Sequence, residues 1–387
     1  ISACLVGSEM CIRDRENIMK FTLQKDSFLE ALQKVQNVVE RKNTVQILSN
    51  VLLTTDKDSL SLTATDLEVG IVVNQPVDKS SEGKVAISAK NLVEIVKELP
   101  NKAVTLTKKD NNWVEISCQK STFNLVGLSA EEFPPLPAFE SKSFLKVNAA
   151  AAREMIDRTL FAVSTDETRY HLNGVFFETI ENGLIRMVAT DGHRLSFIDR
   201  ELFLSKTDQF ERGIIIPKKG LGELRRLIEG KVDEFSLALD KGNLLVKLDR
   251  TLLFIRLIEG DYPDYEQVMP KKADRRLTVD REEFLGSLRR VSLLANEKSR
   301  GVKLALSANN LVITSSNSDL GDAKEELDVD YSAEQVEIGF NARYVIECLS
   351  ILDCEKVTFD LNDKLSPGLL RPAGRSDYTY IVMPMRI

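Results

Sequence analysis

The sequence predicts an α+β protein with antiparallel sheets, built from a unit that recurs six times along 387 residues. Each copy reads as an apolar strand, then a polar or small residue, then the start of an amphipathic helix. Each unit is too small to bury a good core alone, so we expect the units to pair into domains and a closed or arc-shaped assembly. The last strand residues of the six copies recur about every 60 to 70 positions, near the upper end of repeat periods, at Leu23, Ile87, Val147, Ile216, Val279 and Ile338.

Further strands are predicted after the helices, where alternating apolar runs are separated by Asn, Asp or Gly turns. The first unit predicts strands at 50–55, 59–64 and 68–74. The second predicts strands at 103–108, 113–117 and 122–128, and the fourth predicts them at 234–239, 244–248 and 252–257. The unit is therefore a strand, a helix and about three more strands, which is typical of an α+β fold.

Proline and acidic residues mark the domain boundaries. The phrase LSAEEFP, which begins at Leu128, is echoed by LIEGDYP, which begins at Leu257. Because the echo follows every second unit, we expect three similar domains of two units each, at 19–142, 143–273 and 274–387. Residues 1–18 carry no repeat signature, and we interpret them as a non-native or disordered leader.

The composition argues against a membrane protein, a disulfide-rich protein and a protein with a cysteine metal site. No window approaches the ~18 apolar residues of a membrane span, and the five cysteines show neither metal-ligand spacing nor disulfide density. We therefore expect a cytoplasmic protein without metal or cofactor. The net charge of −7 argues against indiscriminate coating of nucleic acid, although basic pairs recur near the repeated helices.

Two segments stand apart from the scaffold. The first, ATDGHRL at 189–195, admits three interpretations: an acid/base or metal pair of Asp191 and His193, a tight turn in which Gly192 supplies a positive φ, and a surface for another protein. The second is YTYIVMPMRI at 378–387, an apolar strand whose methionines could adapt to varied partners. It could equally pack as the last sheet strand of its own domain, and both interpretations can hold together. No P-loop, dinucleotide fingerprint, nucleophile elbow or HExxH motif occurs, which favours a binding role over catalysis.

Several longer phrases are distinctive of one family. They are MKFTLQKDSFLEALQKV, LSLTATDLEVGI, RYHLNGVFFE, VATDGHRLS, IPKKGLGELRRLI, YPDYEQVMP, ANEKSRGVKL, EIGFNARYVIECL and YIVMPMRI. On these phrases, the chain from Met19 to Ile387 resembles the bacterial DNA polymerase III beta subunit, the sliding clamp.

The resemblance implies three DNA-clamp domains per chain and a ring formed by a head-to-tail homodimer around duplex DNA. Such a protein does no chemistry. It tethers the DNA polymerase III catalytic subunit, other polymerases and repair proteins to double-stranded DNA without reading sequence, and a clamp loader places it there. The alternative is a replication scaffold that binds partners without encircling DNA.

The resemblance also implies site residues. The partner-peptide cleft maps to Leu172, Thr190, Gly192, His193, Arg194, Leu195, Pro263, Val268, Asn341, Tyr344, Val382, Met383, Pro384, Met385 and Arg386. DNA contacts map to Arg41, Lys42, Arg169, Tyr170 and His171. The dimer contact maps to Phe123 and Leu125 on the first domain and to Leu293 and Leu294 on the third. Gln267 departs from the arginine of some relatives.

Overall fold

The computed structural model describes residues 19–39, 45–78, 80–137, 143–204, 210, 212–270 and 274–386. The leader at 1–18 and two predicted DNA contacts, Arg41 and Lys42, lie outside these residues. The described helices are α1 (Lys25–Gln36), α2 (Ala89–Glu98), α3 (Ala149–Thr159), α4 (Lys218–Leu227), α5 (Arg281–Val291) and α6 (Ala342–Ile351). Each begins directly after a strand, as the six repeats predict.

The nine strands predicted after the first, second and fourth helices are found to within two residues of the predicted ranges. The strand predicted to end at Ile338 continues to Asn341, and the strand predicted at 378–387 ends at Val382. In chain order the strands are β1 (Lys20–Gln24), β2 (Asn50–Asp56), β3 (Ser59–Thr65), β4 (Val69–Pro76), β5 (Ser80–Ser81), β6 (Gly83–Ser88), β7 (Ala103–Lys108), β8 (Trp113–Cys118), β9 (Ser121–Leu128), β10 (Leu145–Asn148), β11 (Gly174–Thr179), β12 (Ile185–Thr190), β13 (Arg194–Arg200), β14 (Ile214–Pro217), β15 (Glu234–Asp240), β16 (Asn243–Leu248), β17 (Thr251–Arg256), β18 (Arg275–Asp280), β19 (Gly301–Ser307), β20 (Asn310–Asn317), β21 (Gly321–Asp328), β22 (Val336–Asn341), β23 (Lys356–Leu361), β24 (Gly368–Pro372) and β25 (Tyr378–Val382).

The polar residue that precedes most of the helices has a direct physical role. The side chains of Ser88, Asn148, Asp280 and Asn341 each accept a hydrogen bond from a backbone N–H in the first turn of the following helix. This N-cap satisfies a donor that has no partner inside the helix. The repeated sequence pattern therefore marks where each of these four helices begins.

The chain divides into two compact units. The first comprises 1–140 and 247–254, and its strands run in the order β17 (up to Phe254), β4, β3, β2, β6, β9, β8, β7, β1 and β5. Helices α1 and α2 pack on each other and against this sheet. The core lies between the two layers, where the rings of Phe21 and Phe28 meet edge to face at 5.8 Å.

The second unit comprises 141–246 and 255–387 and contains an eight-stranded sheet in the order β14, β11, β12, β13, β25, β24, β23, β18. A four-stranded sheet in the order β21, β20, β19, β22 and a group of β10, β15 and β16 complete it. Strands β13 and β25 pair antiparallel, so the sheet is continuous across the boundary predicted at 274. This continuity explains why the second and third predicted domains cluster as one compact unit.

Helix α3 packs under β12 and β13 and touches α4 and α6, while α5 packs against α6. Within the described residues, no helix is long and apolar enough to span a membrane.

Candidate functional site

The segment 190–194 forms a tight turn between β12 and β13. The Thr190 hydroxyl donates to the Arg194 carbonyl at 2.5 Å and accepts from the Gly192 N–H at 3.1 Å. The Asp191 carboxylate accepts from the N–H groups of His193 and Arg194 at 2.9 and 3.0 Å. Gly192 has φ +88°, a conformation that glycine adopts without steric cost. The turn interpretation of this motif is therefore correct, and the turn presents His193 at the surface.

The turn leads into an apolar sheet face. Leu195 lies directly opposite Ile381 of β25, and both belong to a buried cluster with Val188, Phe197 and Leu369. Tyr265 joins this cluster, and Val268 and Met269 pack on it. We call this face, on the side of β13 and β25 that carries Leu195 and Ile381, the cleft face.

Val382 occupies a different position from the one expected. Val382 pairs with Arg194, whereas the preceding residue of β25, Ile381, pairs with Leu195. Successive strand residues point to opposite faces of a sheet. The opposite face is covered by helix α3, because the Ser196 hydroxyl donates to the Arg158 carbonyl there. Ile381, and not Val382, is therefore the β25 residue beside Leu195 on the cleft face.

An open groove of about 700 Å³ borders the cleft face. Val268 and Met383, both expected cleft residues, line it together. Gln267, which the sequence analysis noted as a departure from some relatives, also lines it. The sequence analysis missed the other lining residues, which are Met269, Pro270, Asp274, Asn362, Asp363, Ser366 and Pro367. Leu365, in the same loop between β23 and β24, is 72% exposed. Apolar side chains and an exposed leucine suit a partner that inserts apolar side chains.

Arg194 is buried in a polar and aromatic cage. Its guanidinium contacts Asp191 at 3.1 Å, donates to Glu347 and to the Phe161 carbonyl, and lies 4.6 Å from the centre of the Tyr344 ring. Burial opposes the charge on Glu347, but hydrogen bonds from Arg343 and Arg194 outweigh it and hold the pKa of that carboxyl below its ordinary value. Only 7% of the Arg194 side chain is exposed, so Arg194 holds neighbouring side chains of the site in place and does not itself form its surface. The sequence analysis had not distinguished this role from direct contact.

Three of the remaining expected cleft residues, His193, Tyr344 and Met383, lie together at the turn. His193 and Tyr344 lie with their rings nearly parallel at 6.3 Å, and the Met383 N–H donates to the His193 carbonyl at 2.9 Å. Met385 bonds through its N–H to the Gly339 carbonyl, at the end of the chain near α6. The others are Leu172, which is buried, Asn341, which caps α6, and Pro263, Pro384 and Arg386, which reach the surface to different extents.

The acid/base interpretation of Asp191 and His193 finds no support in this geometry. Both Asp191 oxygens are engaged, one by backbone N–H groups and the other by Arg194. Among the described residues, no group of three or more His, Cys, Asp or Glu side chains could hold a metal ion.

The three predicted DNA-contact residues that the structure describes lie together before β11. Arg169, Tyr170 and His171 belong to a short 3₁₀ stretch at Glu167–Leu172. Tyr170 is 59% exposed, and its ring meets the edge of His171 at 5.6 Å.

The expected dimer residues lie at exposed sheet edges and turns. Phe123 on β9 is 39% exposed, and Leu293, in the 3₁₀ turn Ser292–Leu294, is 75% exposed. Leu125 and Leu294 beside them are half-buried. In the described part of the chain, β9 pairs with β6 only through its last two residues, and β21 lies at the edge of its sheet.

The chain matches three family models, which follow one another along its length. These describe the DNA polymerase III beta subunit N-terminal domain at residues 19–137, its central domain at 146–264 and its C-terminal domain at 266–386. Similar proteins include the beta sliding clamp of Pseudomonas putida, 36% identical over 370 residues, which are 95% of this chain and all of that protein. The beta sliding clamp of Caulobacter vibrioides is 36% identical over 374 residues, with the same coverage.

Solved structures of sliding clamps have the same fold as this chain. The crystal structure of the DNA polymerase sliding clamp from Pseudomonas aeruginosa has a TM-score of 0.89 at 34% identity and covers 95% of this chain and 100% of that one. The sliding clamp from Bartonella birtlesii, bound to griselimycin, has a TM-score of 0.91 at 34% identity and covers 96% of this chain and 100% of that one. The chain therefore belongs to the DNA polymerase III beta subunit family, and its function is that of a DNA sliding clamp.

Proposed function

We propose that the protein tethers its partners through the groove and the cleft face described above. The observation that carries this proposal is the groove lined by Val268 and Met383, which borders the buried apolar cluster that contains Leu195 and Ile381. Partners would be the DNA polymerase III catalytic subunit, the clamp loader, other polymerases and repair proteins. Each would insert a short segment with aliphatic or aromatic side chains, and His193 and Arg386 would make polar contacts at the rim.

Affinity for a lone peptide is expected to be modest. Burying one large apolar side chain contributes roughly 1.5–3 kcal/mol, and ordering the peptide offsets part of the gain from two such side chains. We therefore expect a lone peptide to bind no more tightly than the micromolar range, which corresponds to about −8 kcal/mol. Such weakness suits exchange between competing partners, because a tethered partner that lets go rebinds before it diffuses away.

The ring would close through two copies of the chain. Phe123 and Leu125 of one protomer would pack against Leu293 and Leu294 of the other, in a head-to-tail contact that closes after two copies. Two observations support this assignment. Phe123 is exposed on the part of β9 that does not pair with β6, and an unpaired strand edge can pair with another chain. Leu293 is exposed in a turn and lines a cavity together with the exposed Leu320.

DNA would be held by topology and by weak phosphate contacts. Arg169, Tyr170 and His171 are proposed to meet the sugar-phosphate backbone, together with Arg41 and Lys42 outside the described residues. Phosphate contacts carry no sequence information and fall with salt, so a protein that slides needs only a few. We infer that the protein acts in the cytoplasm and does no chemistry.

The cleft assignment predicts the effect of a charge in the groove. The variant V268D places a carboxylate against apolar surface, and deletion of Met383–Ile387 removes one wall. Each should weaken binding of a labelled polymerase-derived peptide by at least tenfold, because one apolar contact of roughly 1.5 kcal/mol or more is lost. Fluorescence anisotropy measures this. The matched control L204D, at an exposed leucine elsewhere, should bind as wild type; wild-type affinity in both cleft variants would refute the placement.

A further inference from the structure

Three charged residues form a row across the middle strands beneath the groove wall. Glu178 of β11 lies directly opposite Arg186 of β12, which lies directly opposite Asp199 of β13. Arg186 donates two hydrogen bonds to Asp199, at 2.7 and 2.8 Å, and its guanidinium lies 4.7 Å from the centre of the Phe197 ring. With 16% of its side chain exposed, Arg186 is held on two sides. A two-pronged arginine–carboxylate pair of this kind fixes geometry as well as charge.

Tyr265 lies on top of this row. Its hydroxyl donates to the Glu178 carboxylate at 2.5 Å and accepts from Arg186 at 3.3 Å. Tyr265 is 8% exposed, and its ring packs in the buried cluster of the cleft face beside Phe197. Burial raises the pKa of the hydroxyl, so it stays protonated and remains a donor to Glu178. We call Glu178, Arg186, Asp199 and Tyr265 the Tyr265 cluster.

The Tyr265 cluster is connected to the groove through one short turn. Tyr265 begins the 3₁₀ stretch Tyr265–Val268, and side chains three residues apart in such a turn lie on the same side. Val268 therefore packs on the same cluster of the cleft face and forms groove wall at the same time. Upstream, the Tyr262 ring stacks on Phe176 at 5.0 Å. The position of Val268 above the sheet is therefore set by Tyr262 and Tyr265, which precede it in the chain.

None of the four residues of the Tyr265 cluster is among the described residues that line the groove. A partner peptide in the groove would not touch them. Their polar contacts are directed at the segment that carries Val268 and Met269. Arg186 also lies 3.8 Å from the Glu266 carboxylate in the same turn, so the row contacts two neighbouring residues of the segment that leads to Val268.

We propose that Arg186 and Glu178, acting through the Tyr265 hydroxyl, are positioning residues for the partner groove. They hold the 3₁₀ turn at one height above the sheet, so that Val268 presents a preformed surface to the incoming apolar side chain. A preformed surface lowers the ordering cost of binding. This inference rests on the proposed function, because it assumes that partners bind in the groove.

The test uses the full chain and one labelled peptide with two apolar anchors. Y265F keeps the ring and removes the hydroxyl. We expect it to bind about three- to tenfold more weakly, the size of one lost hydrogen bond. E178A should match Y265F, whereas E178Q should lie close to wild type because the amide oxygen still accepts from Tyr265. The control is Y331F, which removes a buried tyrosine hydroxyl that donates to the Glu334 carbonyl in the loop before β22.

A second measurement separates positioning from general stability. Each apolar anchor of the peptide is replaced by alanine in turn, and the loss caused by Y265F should vanish for only one of the two peptides, the one lacking the anchor against Val268. Equal losses in Y265F and Y331F, or an unchanged affinity in Y265F, would overturn the inference. If wild-type protein bound no peptide at all, the proposed function itself would be at fault.

Discussion

At the residue scale, the turn that presents His193 has a close counterpart in the first unit. There the Thr65 hydroxyl donates to the Val69 carbonyl and accepts from the Leu67 N–H, both at 3.0 Å. The Asp66 carboxylate accepts from the N–H groups of Glu68 and Val69 at 2.9 and 2.6 Å. The four hydrogen bonds of the 190–194 turn are thus repeated one for one. The repeat seen in the sequence extends to single hydrogen bonds.

The two turns differ at their third residue. Gly192 has φ +88°, and its counterpart Leu67 has φ +79°, a conformation that costs a non-glycine residue about 1–2 kcal/mol. Three positions further along, Leu195 corresponds to Gly70, where an added Cβ would lie 2.5 Å from Leu136. The strand after the 65–69 turn therefore has no leucine equivalent to Leu195, which lies on the cleft face after the 190–194 turn.

The positive φ at both positions predicts that exchanging glycine and leucine will have unequal effects on stability in the two turns. Gly192→Leu should lower stability by about 1–2 kcal/mol, because leucine is disfavoured at this φ. Leu67→Gly should change stability by less than about 0.5 kcal/mol, because relief of strain is offset by the greater freedom of glycine in the unfolded chain. Thermal unfolding followed by circular dichroism compares them. Equal midpoints for G192L and wild type would contradict the argument.

The position of β25 side chains marks the limit of what the sequence could predict about the site. The motifs around Thr190 and Met383 were recognisable, and both lie at the site. Whether Ile381 or Val382 faces the groove depends on the register of β25 against β13, strands far apart in the chain, and a shift of one residue exchanges the faces. Tyr265 was also missed, because its hydrogen-bond partners lie on other strands.

At the element scale, an ionic network joins helix α3, strand β13 and the loop between β24 and β25. The Glu154 carboxylate pairs with Arg200 at 2.8 Å, with Arg158 at 3.1 Å and with Arg375 at 3.5 Å. Asp377 pairs with Arg375 at 2.7 Å and with Arg200. The hydrogen bond from Arg200 holds the pKa of Glu154 below its ordinary value. Elements of the second and third predicted domains are thereby tied beside their shared sheet.

This network predicts a loss of stability in acid. The hydrogen bond from Arg375, with the charge of Arg200, lowers the pKa of Asp377 to about 2. Since the folded-state pKa lies below the unfolded value, the contribution is present above about pH 4 and is lost as pH falls towards 2. D377N should destabilise at pH 7, by roughly 1 kcal/mol or less given partial exposure, and the difference from wild type should shrink by pH 2.5.

Unfolding midpoints measured across this pH range check the prediction. The control D319N alters a carboxylate that accepts from the Ser318 hydroxyl at 3.4 Å, and it should not reproduce the effect. A gap between wild type and D377N that stayed constant with pH would rule out the linkage.

The elements themselves were largely predictable. Strand positions follow from alternation and turn residues, and helix starts follow from the capping residues Ser88, Asn148, Asp280 and Asn341. What the sequence could not provide was the grouping of elements. The pairing of β13 with β25 is a long-range contact that no local pattern encodes.

At the scale of the whole molecule, function depends on a surface that a single chain leaves exposed. Leu293 is 75% exposed, Leu320 near it is 58% exposed, and both line a cavity of about 560 Å³ with Ala295 and Ile346. We expect Phe123 of a second copy to cover this region. The acidic sequence of β21 would then lie near the contact, while the net charge of −7 keeps the exterior from binding nucleic acid indiscriminately.

The dimer proposal predicts a folded monomer. L293K/L294K would bury two unpaired charges in the contact, each at a cost of several kcal/mol, so the double variant should sediment at half the wild-type mass with an unchanged circular dichroism spectrum. Wild-type protein loaded on nicked circular DNA should be retained and then lost when the circle is cut. The double variant should not be retained on the circle.

The control for this experiment is L204K, at another exposed leucine, which should remain a dimer. A double variant that stayed dimeric would refute the assigned contact. Wild-type retention on linear DNA equal to that on circles would favour a scaffold that does not encircle DNA.

The pairing of β13 with β25 also affects how the protein is made. Ser196 and Tyr378, whose hydroxyls meet at 3.0 Å, are 182 residues apart in the chain. At ordinary rates of translation, β13 leaves the ribosome roughly 10–40 s before β25 exists. During that interval Leu195 and Phe197 lack their neighbouring strand, and the groove is incomplete, because all of its described lining residues follow β13 in the chain and Met383 is the last of them. If partners bind in the groove as proposed, a chain whose synthesis stops before β25 would not compete with finished molecules for them.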